Sequence, residues 1–229
     1  MPENYTFRDL LRKRDEDLDR IGRASYRNID KTGVFYHVIT KSARGDNVFL
    51  AKGAGDYRHD LLCRLCEERG IILVFSTTMP SHSHDVLLTP DWETLCGVYK
   101  ILNTNVSKFI RKQNPDKYPA GERILRRHPV YIAVRDMVYL CILGKYIFDN
   151  PEYLRKESRF IPHDCFWMFQ KSHFSSAYDE TLYKKLFGLE PRQLYDLYSS
   201  SSMPQIRQFA VEKYGSWPAS QTRSLFYRE

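Results

Sequence analysis

The sequence predicts an α/β protein with a ferredoxin-like antiparallel sheet, helices on the faces of that sheet, and a helical C-terminal lobe. Three observations lead to this prediction. Strand-like and helix-like segments follow one another in the order strand, helix, strand, strand, helix, strand, and a further apolar helix comes next. Short amphipathic pieces separated by prolines fill the rest of the 229 residues. We therefore expect a helical arm over residues 1–30, a core domain over 31–155 and a helical extension over 156–229.

The first core elements are predicted from their residue types and spacing. Residues 33–40 are rich in β-branched and aromatic side chains and precede a polar loop, which is typical of a strand. Residues 60–69 repeat apolar side chains at helical spacing and stop at Gly70, as helices commonly do. Two more strands, at residues 71–77 and 82–89, follow on either side of a short link.

The second half of the core is predicted as helix, strand and helix. Residues 91–112 carry apolar side chains on one side, and the segment 89–91 supplies a cap at the start of this helix. A polar loop at residues 114–121 leads towards a short strand at 129–134. Residues 137–148 are apolar enough for a helix that packs against the sheet.

The composition favours a polyanionic partner and a reducing compartment. Lys and Arg number 35 against 28 Asp and Glu, which gives a formal charge of +7. Five cysteines form an odd set, and no signal peptide or apolar run of membrane-spanning length is present. Cys63 and Cys66 have C-x-x-C spacing, but they fit the buried stripe of a helix better than a zinc site. We expect a cytoplasmic protein without membrane contact.

A candidate metal site is suggested by two histidines on one predicted strand. Alternate residues of a strand point to the same side, so His82 and His84 can present both imidazoles to one divalent cation. Tyr146 and Asn150 lie one helical turn apart and share a helix face. If that face covers the histidines, Asn150 can add a carbonyl oxygen while Tyr146 points its phenol at a phosphate. The same spacing also fits a core tyrosine and an asparagine that caps the helix before Pro151.

Three motifs, taken in order, resemble the REP-associated tyrosine transposases, which belong to the single-tyrosine HUH transposases. They are YHV at residues 36–38, MPSHSH at 79–84 and KYIFDNP at 145–151. The resemblance spans about residues 33–155, so it implies that the core domain is a catalytic domain of this family. Three ordered motifs are more specific than any one of them.

The resemblance implies a role for each candidate residue. His82 and His84 match the metal-binding histidines, Asn150 the third ligand and Tyr146 the nucleophile. Tyr153 lies outside the family string and is a distant second choice, because Glu157 four residues later could bind a metal. The implied cofactor is a divalent metal, Mg²⁺ or Mn²⁺, and the implied location is the bacterial cytoplasm, in association with the nucleoid. The implied activity is cleavage and rejoining of single-stranded DNA beside a hairpin through a 5′-phosphotyrosine, by a homodimer or a monomer.

Several residues depart from the family pattern. Ser81 replaces an asparagine, Ser83 stands where a hydrophobic residue is usual, and Asp85 follows where an apolar residue is expected. Ser83 and Asp85 share the strand face opposite the two histidines, so that face is polar. We expect Asp85 to pair with a basic residue or to cap a neighbouring element. His37 and His128 are interpreted as structural or exposed histidines outside the site.

The basic residues and the function class leave alternatives open. Six basic residues near the start of the predicted catalytic helix are expected, as a group, to contact DNA. Each of them taken singly can equally be a solvated surface charge. A domesticated, catalytically weak or inactive protein that binds nucleic-acid hairpins is the main alternative function. A replication initiator, a relaxase, and a phosphodiesterase that uses water are further alternatives. The candidate DNA contacts are Lys108, Arg111, Lys112, Arg123, Arg126 and Arg127.

Overall fold

The computed structural model describes residues 31–155 and 177–216 of the chain. This part contains four strands and six α-helices. The predicted arm at residues 1–30 lies outside this part. A single 3₁₀ turn, Val48–Leu50, separates the first strand from the first helix. The elements in chain order are β1 (Phe35–Lys41), α1 (Ala54–Arg69), β2 (Ile72–Thr78), β3 (His82–Leu88), α2 (Trp92–Gln113), β4 (Val130–Ala133), α3 (Met137–Arg155), α4 (Glu180–Phe187), α5 (Pro191–Ser200) and α6 (Met203–Tyr214).

The sheet has the strand order β2-β3-β1-β4, and every neighbouring pair is antiparallel. With helices α1 and α2 connecting β1 to β2 and β3 to β4, this is the ferredoxin-like arrangement, so the predicted fold class is confirmed. In the β1–β3 register, Lys41 lies opposite His82 and Ile39 lies opposite His84. These four side chains therefore share one face of the sheet.

Helices α1 and α2 cover one face of the sheet. On this face Trp92 packs against Tyr36 and Tyr131, with ring centroids 5.6 Å and 5.0 Å apart. Helix α2 begins as predicted, because the Asp91 side chain accepts a hydrogen bond from the backbone N–H of Thr94. The apolar side of α2 is buried at Leu95, Val98, Leu102, Val106 and Ile110.

Helix α1 starts earlier than the sequence pattern predicts, at Ala54 rather than at residue 60. Its first turns bury Gly55, Arg58 and His59 instead of large apolar side chains. An apolar repeat could not reveal these turns, because polar residues occupy the inward positions. Gly53 precedes the helix in the left-handed region with φ of 70°.

Helix α3 and the C-terminal helices cover the other face of the sheet. The ring of Phe75 on β2 lies 5.8 Å from Phe187 and 6.3 Å from Tyr198. The Tyr183 hydroxyl donates to the carbonyl of Val74, and the backbone N–H of Leu73 donates to a carbonyl at residue 177 over 2.8 Å. The described part of the C-terminal segment thus packs directly on β2, while the division into three domains stays a prediction.

Helix α3 is longer than predicted and continues through Pro151 to Arg155. Asn150 therefore lies inside the helix, and the interpretation of Asn150 as a C-terminal cap is wrong. Apolar periodicity fades after Phe148, which is why the pattern indicated an earlier end. Within residues 31–155 and 177–216, no helix has the length and apolar character needed to cross a membrane.

Candidate active site

The two predicted histidines lie side by side on β3 and face helix α3. His84 is buried, with 1% of its surface exposed, while His82 is half-buried nearer the start of the strand. Their ring centroids are 4.9 Å apart and the rings are nearly perpendicular, at 85°. The alternation of the strand therefore places both imidazoles on one face, as expected from the sequence.

Tyr146 on α3 lies against this histidine pair. Its ring centroid is 5.3 Å from that of His84, with an interplanar angle of 84°. Asn150 follows one helical turn later on the same helix and is half-buried. Its side-chain nitrogen Nδ2 is a buried atom without a hydrogen-bond partner in the described part of the chain. The structure thus brings His82, His84 and Tyr146 together and places Asn150 on the adjoining turn.

A third histidine, His37, belongs to the same cluster, although it was expected to lie outside the site. Nε2 of His37 lies 2.9 Å from Nδ1 of His84, and the ring centroids are 5.2 Å apart with an interplanar angle of 27°. His37 is completely buried on β1. It faces the same side of the sheet as His84, because its register partner Val86 is two residues from His84 on β3. Strand alternation in the YHV motif predicts the face of β1 on which His37 lies, but the strand register brings that face to His84.

The surroundings of His82 keep its imidazole uncharged. Burial, together with the positive charge of Lys41 on the neighbouring strand, lowers the pKa of His82 to about 4. The ring is therefore neutral at physiological pH, which is the form that binds metal ions. Lys41 was absent from the predicted site residues, although it lies directly opposite His82 on β1.

The donor set fits a divalent cation with open coordination positions. Two imidazoles and one side-chain amide supply few ligands, so water and phosphate oxygens could complete the shell. The buried Nδ2 of Asn150, which has no hydrogen-bond partner in the described part of the chain, supports a cation at this site. If the amide group is flipped, its oxygen takes the position of Nδ2 and can bind the cation. Among the described residues, no group of three or more His, Cys, Asp or Glu could hold a metal. A metal held by the two histidines would therefore need oxygen ligands from Asn150, water or substrate.

The unusual Asp85 is explained by a buried polar network on the opposite face of the sheet. The Arg58 guanidinium forms an ion pair with Asp85, so the expectation that Asp85 pairs with a basic residue is confirmed. Ser76 Oγ and Tyr99 Oη also donate to the Asp85 carboxylate, over 2.7 Å and 2.8 Å. Burial, and then the charge of Asp85, raises the pKa of Tyr99. The polar face of β3 thus lies buried against helices α1 and α2, with the Asp85 carboxylate paired and hydrogen-bonded.

Close contacts fix the position of the helix that carries Tyr146. A Cβ atom added at Gly144 would meet Tyr198 Oη at 2.5 Å and Phe75 Cε2 at 2.8 Å. The next residue, Lys145, is buried and donates to the Tyr198 carbonyl and to Asp149, both over 2.7 Å. The glycine allows α3 to approach the sheet, and the lysine connects α3 to α5. Gly144 and Lys145 together hold α3 at the distance from the sheet that places Tyr146 against His84.

The predicted basic residues lie near one end of the sheet. The backbone N–H of Arg126 donates to the Lys41 carbonyl over 2.9 Å, so the loop before β4 runs beside the strand end opposite His82. Arg111 donates to the Glu122 carbonyl over 2.6 Å and thereby ties the end of α2 to this loop. Arg111 is half-buried, whereas the other five predicted contacts are exposed: Lys108, Lys112, Arg123, Arg126 and Arg127.

Comparison with known proteins gives partial likenesses only. No family model matches the chain, and no curated protein is significantly similar. A solved REP-associated tyrosine transposase bound to a REP hairpin is 13% identical, with a TM-score of 0.41 over 55% of this chain and 70% of that chain. A structure described as a candidate transposase from Deinococcus radiodurans R1 is 21% identical, with a TM-score of 0.38 over 52% of this chain and 91% of that chain. At these levels the likenesses do not establish a shared function.

Proposed function

We propose that the chain is a metal-dependent, single-tyrosine strand transferase that cleaves and rejoins single-stranded DNA next to hairpins. The observation that carries the proposal is the contact between Tyr146 and His84, whose ring centroids are 5.3 Å apart. The contact joins two motifs that lie far apart in the sequence and that together resemble the single-tyrosine transposases. A tyrosine used only for packing would not need two imidazoles beside it.

The nucleophile in this proposal is the hydroxyl oxygen of Tyr146. It bonds to the phosphorus of the scissile phosphodiester while the bond from phosphorus to the 3′ oxygen breaks. The phenolic proton is lost during attack, because the ordinary tyrosine pKa is near 10, and the leaving oxygen gains a proton. The products are a 5′-phosphotyrosine and a free 3′-hydroxyl. A second 3′-hydroxyl can reverse the step, so rejoining needs no external energy source.

His82, His84 and Asn150 would hold a divalent cation, Mg²⁺ or Mn²⁺, beside Tyr146. The cation would withdraw charge from the phosphate and orient it for in-line attack. The neutral state of His82, maintained by burial and by Lys41, keeps its lone pair available for this role. Imidazole ligands favour Mn²⁺ over Mg²⁺, so we expect stronger binding of Mn²⁺.

The substrate in this proposal is single-stranded DNA beside a hairpin, bound at the end of the sheet that carries His82. The exposed Arg123, Arg126 and Arg127 lie in the loop that pairs with the end of β1, near His82. Basic side chains at such a position can neutralise backbone phosphates as the strand enters the site. The buried site itself then receives only the phosphate that reacts.

A covalent-adduct assay tests the proposal. The protein is incubated with labelled single-stranded hairpin DNA and Mn²⁺, and a denaturant-resistant protein–DNA adduct is expected. Tyr146→Phe should abolish the adduct, whereas Tyr139→Phe on the same helix should retain it. An adduct that persists in Tyr146→Phe would mean that another residue is the nucleophile. Binding of hairpins without an adduct, across varied sequences, would favour the alternative of a non-catalytic binding protein.

A further inference from the structure

We infer that His37 is a positioning residue that accepts a hydrogen bond from Nδ1–H of His84 and so directs Nε2 of His84 to the metal. This role rests on the proposed function, because it concerns the same metal site. It goes beyond the motif resemblance, which gave His37 no role. The relevant observation is the 2.9 Å separation between Nε2 of His37 and Nδ1 of His84.

The separation of the two nitrogens excludes a metal ion between them. A cation bound by two imidazole nitrogens lies about 2.0–2.1 Å from each, so nitrogens on opposite sides of it are roughly 4 Å apart. At 2.9 Å the two nitrogens instead share one proton in a hydrogen bond. Nδ1 of His84 is therefore engaged by His37, and Nε2 is the nitrogen that can bind a metal.

The direction of the hydrogen bond decides whether His84 can be a ligand. If His84 donates from Nδ1–H, its Nε2 carries the lone pair that a metal requires. If His37 donates from Nε2–H instead, neutral His84 carries its proton on Nε2 and cannot bind a metal there. The second nitrogen of a metal-binding histidine is commonly hydrogen-bonded in this way, which fixes both the tautomer and the ring orientation.

The fold holds His37 where this hydrogen bond needs it. His37 and His84 are on adjacent strands, both buried, and β1 pairs with β3 on one side and with β4 on the other. The two ring planes are inclined by only 27°, and the hydrogen bond between the rings restricts the rotation of each of them. A residue in the centre of a sheet is a rigid support, which suits the positioning of a ligand.

The first experiment reads the tautomer of His84 in the wild-type protein. Protein labelled with ¹⁵N at histidine is studied without metal by two-bond ¹H–¹⁵N correlation. We expect His84 to carry its proton on Nδ1, with an unprotonated Nε2. The result does not depend on any variant folding correctly. Protonation of His84 on Nε2 would overturn the inference.

The second experiment measures Mn²⁺ binding by the electron paramagnetic resonance signal of the free ion. His37→Leu removes the acceptor and should weaken Mn²⁺ binding by roughly 10- to 100-fold. His37→Gln places an acceptor oxygen close to the position of Nε2 and should restore part of the affinity. Thr40→Val is the matched control, since Thr40 is buried on the same strand but faces the opposite side of the sheet. It should bind Mn²⁺ like the wild type.

The outcomes separate this inference from the proposed function. Wild-type protein that binds Mn²⁺ and carries Nδ1–H on His84, together with weak binding by His37→Leu, supports both. Wild-type protein that binds Mn²⁺ while His37→Leu binds it equally well overturns only the role of His37. Wild-type protein that binds no Mn²⁺ overturns the metal site and the role of His37 with it.

Discussion

The ring of Tyr146 lies edge-on to the ring of His84, with centroids 5.3 Å apart and an interplanar angle of 84°. The contact joins the last helix of the core to the central part of the sheet. The contact depends on the distance between α3 and the sheet, because Tyr146 lies on the helix and His84 lies on the sheet. Substitutions that move α3 are therefore expected to act on the site from a distance.

Gly144→Ala should destabilise the protein and displace Tyr146. The new Cβ would lie 2.5 Å from Tyr198 Oη and 2.8 Å from Phe75, so either α3 or these two buried rings must shift. Overpacking of this kind lowers the free energy of unfolding by about 1–3 kcal/mol. Urea denaturation of Gly144→Ala and of the wild type measures this difference.

Gly97→Ala is the control for this substitution, because no atom lies within 4 Å of a Cβ added there in α2. Replacing that helical glycine should raise the free energy of unfolding by about 0.4–1 kcal/mol. If Gly144→Ala is as stable as the wild type, the close approach of α3 to β2 is not present in solution.

Asp85→Ala should be strongly destabilising, because it leaves the Arg58 guanidinium buried without its counter-charge. Both side chains of this pair are at most 1% exposed. Removing one partner of a buried pair costs about 3–5 kcal/mol, whereas replacing both partners by apolar residues is often far less costly. The double variant Arg58→Met/Asp85→Leu should therefore unfold at a higher urea concentration than Asp85→Ala.

An exposed ion pair provides the comparison for Asp85→Ala. Arg64 and Glu68 are separated by 4.0 Å on α1, with side chains 65% and 54% exposed. Arg64→Ala should change the free energy of unfolding by less than about 1 kcal/mol, because water screens such a pair. Equal effects of Arg64→Ala and Asp85→Ala would contradict the buried network.

Cys96 should be alkylated before the three buried cysteines of the described chain. Burial raises the pKa of Cys141 to about 12, and burial is also the main cause of the raised pKa of Cys66. At pH 8 these thiols stay protonated, and the thiolate is the form that reacts. Cys63 is buried beside Cys66 and should be protected as well. Iodoacetamide labelling followed by peptide mass spectrometry measures the order, and early labelling of Cys141 would contradict it.

Arg126→Glu/Arg127→Glu should weaken binding of single-stranded hairpin DNA and reduce its dependence on salt. Each lost phosphate contact lowers the slope of log affinity against log salt by about 0.7 for a single strand. Lys185→Glu is the charge-changing control, because Lys185 is exposed on α4 and outside the loop before β4. Fluorescence anisotropy at several salt concentrations gives both slopes. An equal effect of Lys185→Glu would indicate a general charge effect instead of a binding loop.

The sequence predicted most of the core from the residue types of its strands, the apolar spacing of its helices and the capping residue before α2. The strand of His82 and His84 and the capped start of α2 at Asp91 were found in this way. The start of α1 was predicted too late because Arg58 and His59 occupy buried positions there, and polar residues give no apolar signal. The end of α3 was predicted too early because Asn150 and Pro151 resemble a helix terminus.

By itself, the sequence determined which residues could take part in chemistry: two histidines on one strand face, and a tyrosine and an asparagine on one helix face. Only the tertiary structure decided that Tyr146 meets His84, and that His37 on another strand contacts the same ring. Local periodicity fixes the face on which a side chain lies. Strand register and helix packing fix what it meets there, because they depend on contacts between residues far apart in the chain.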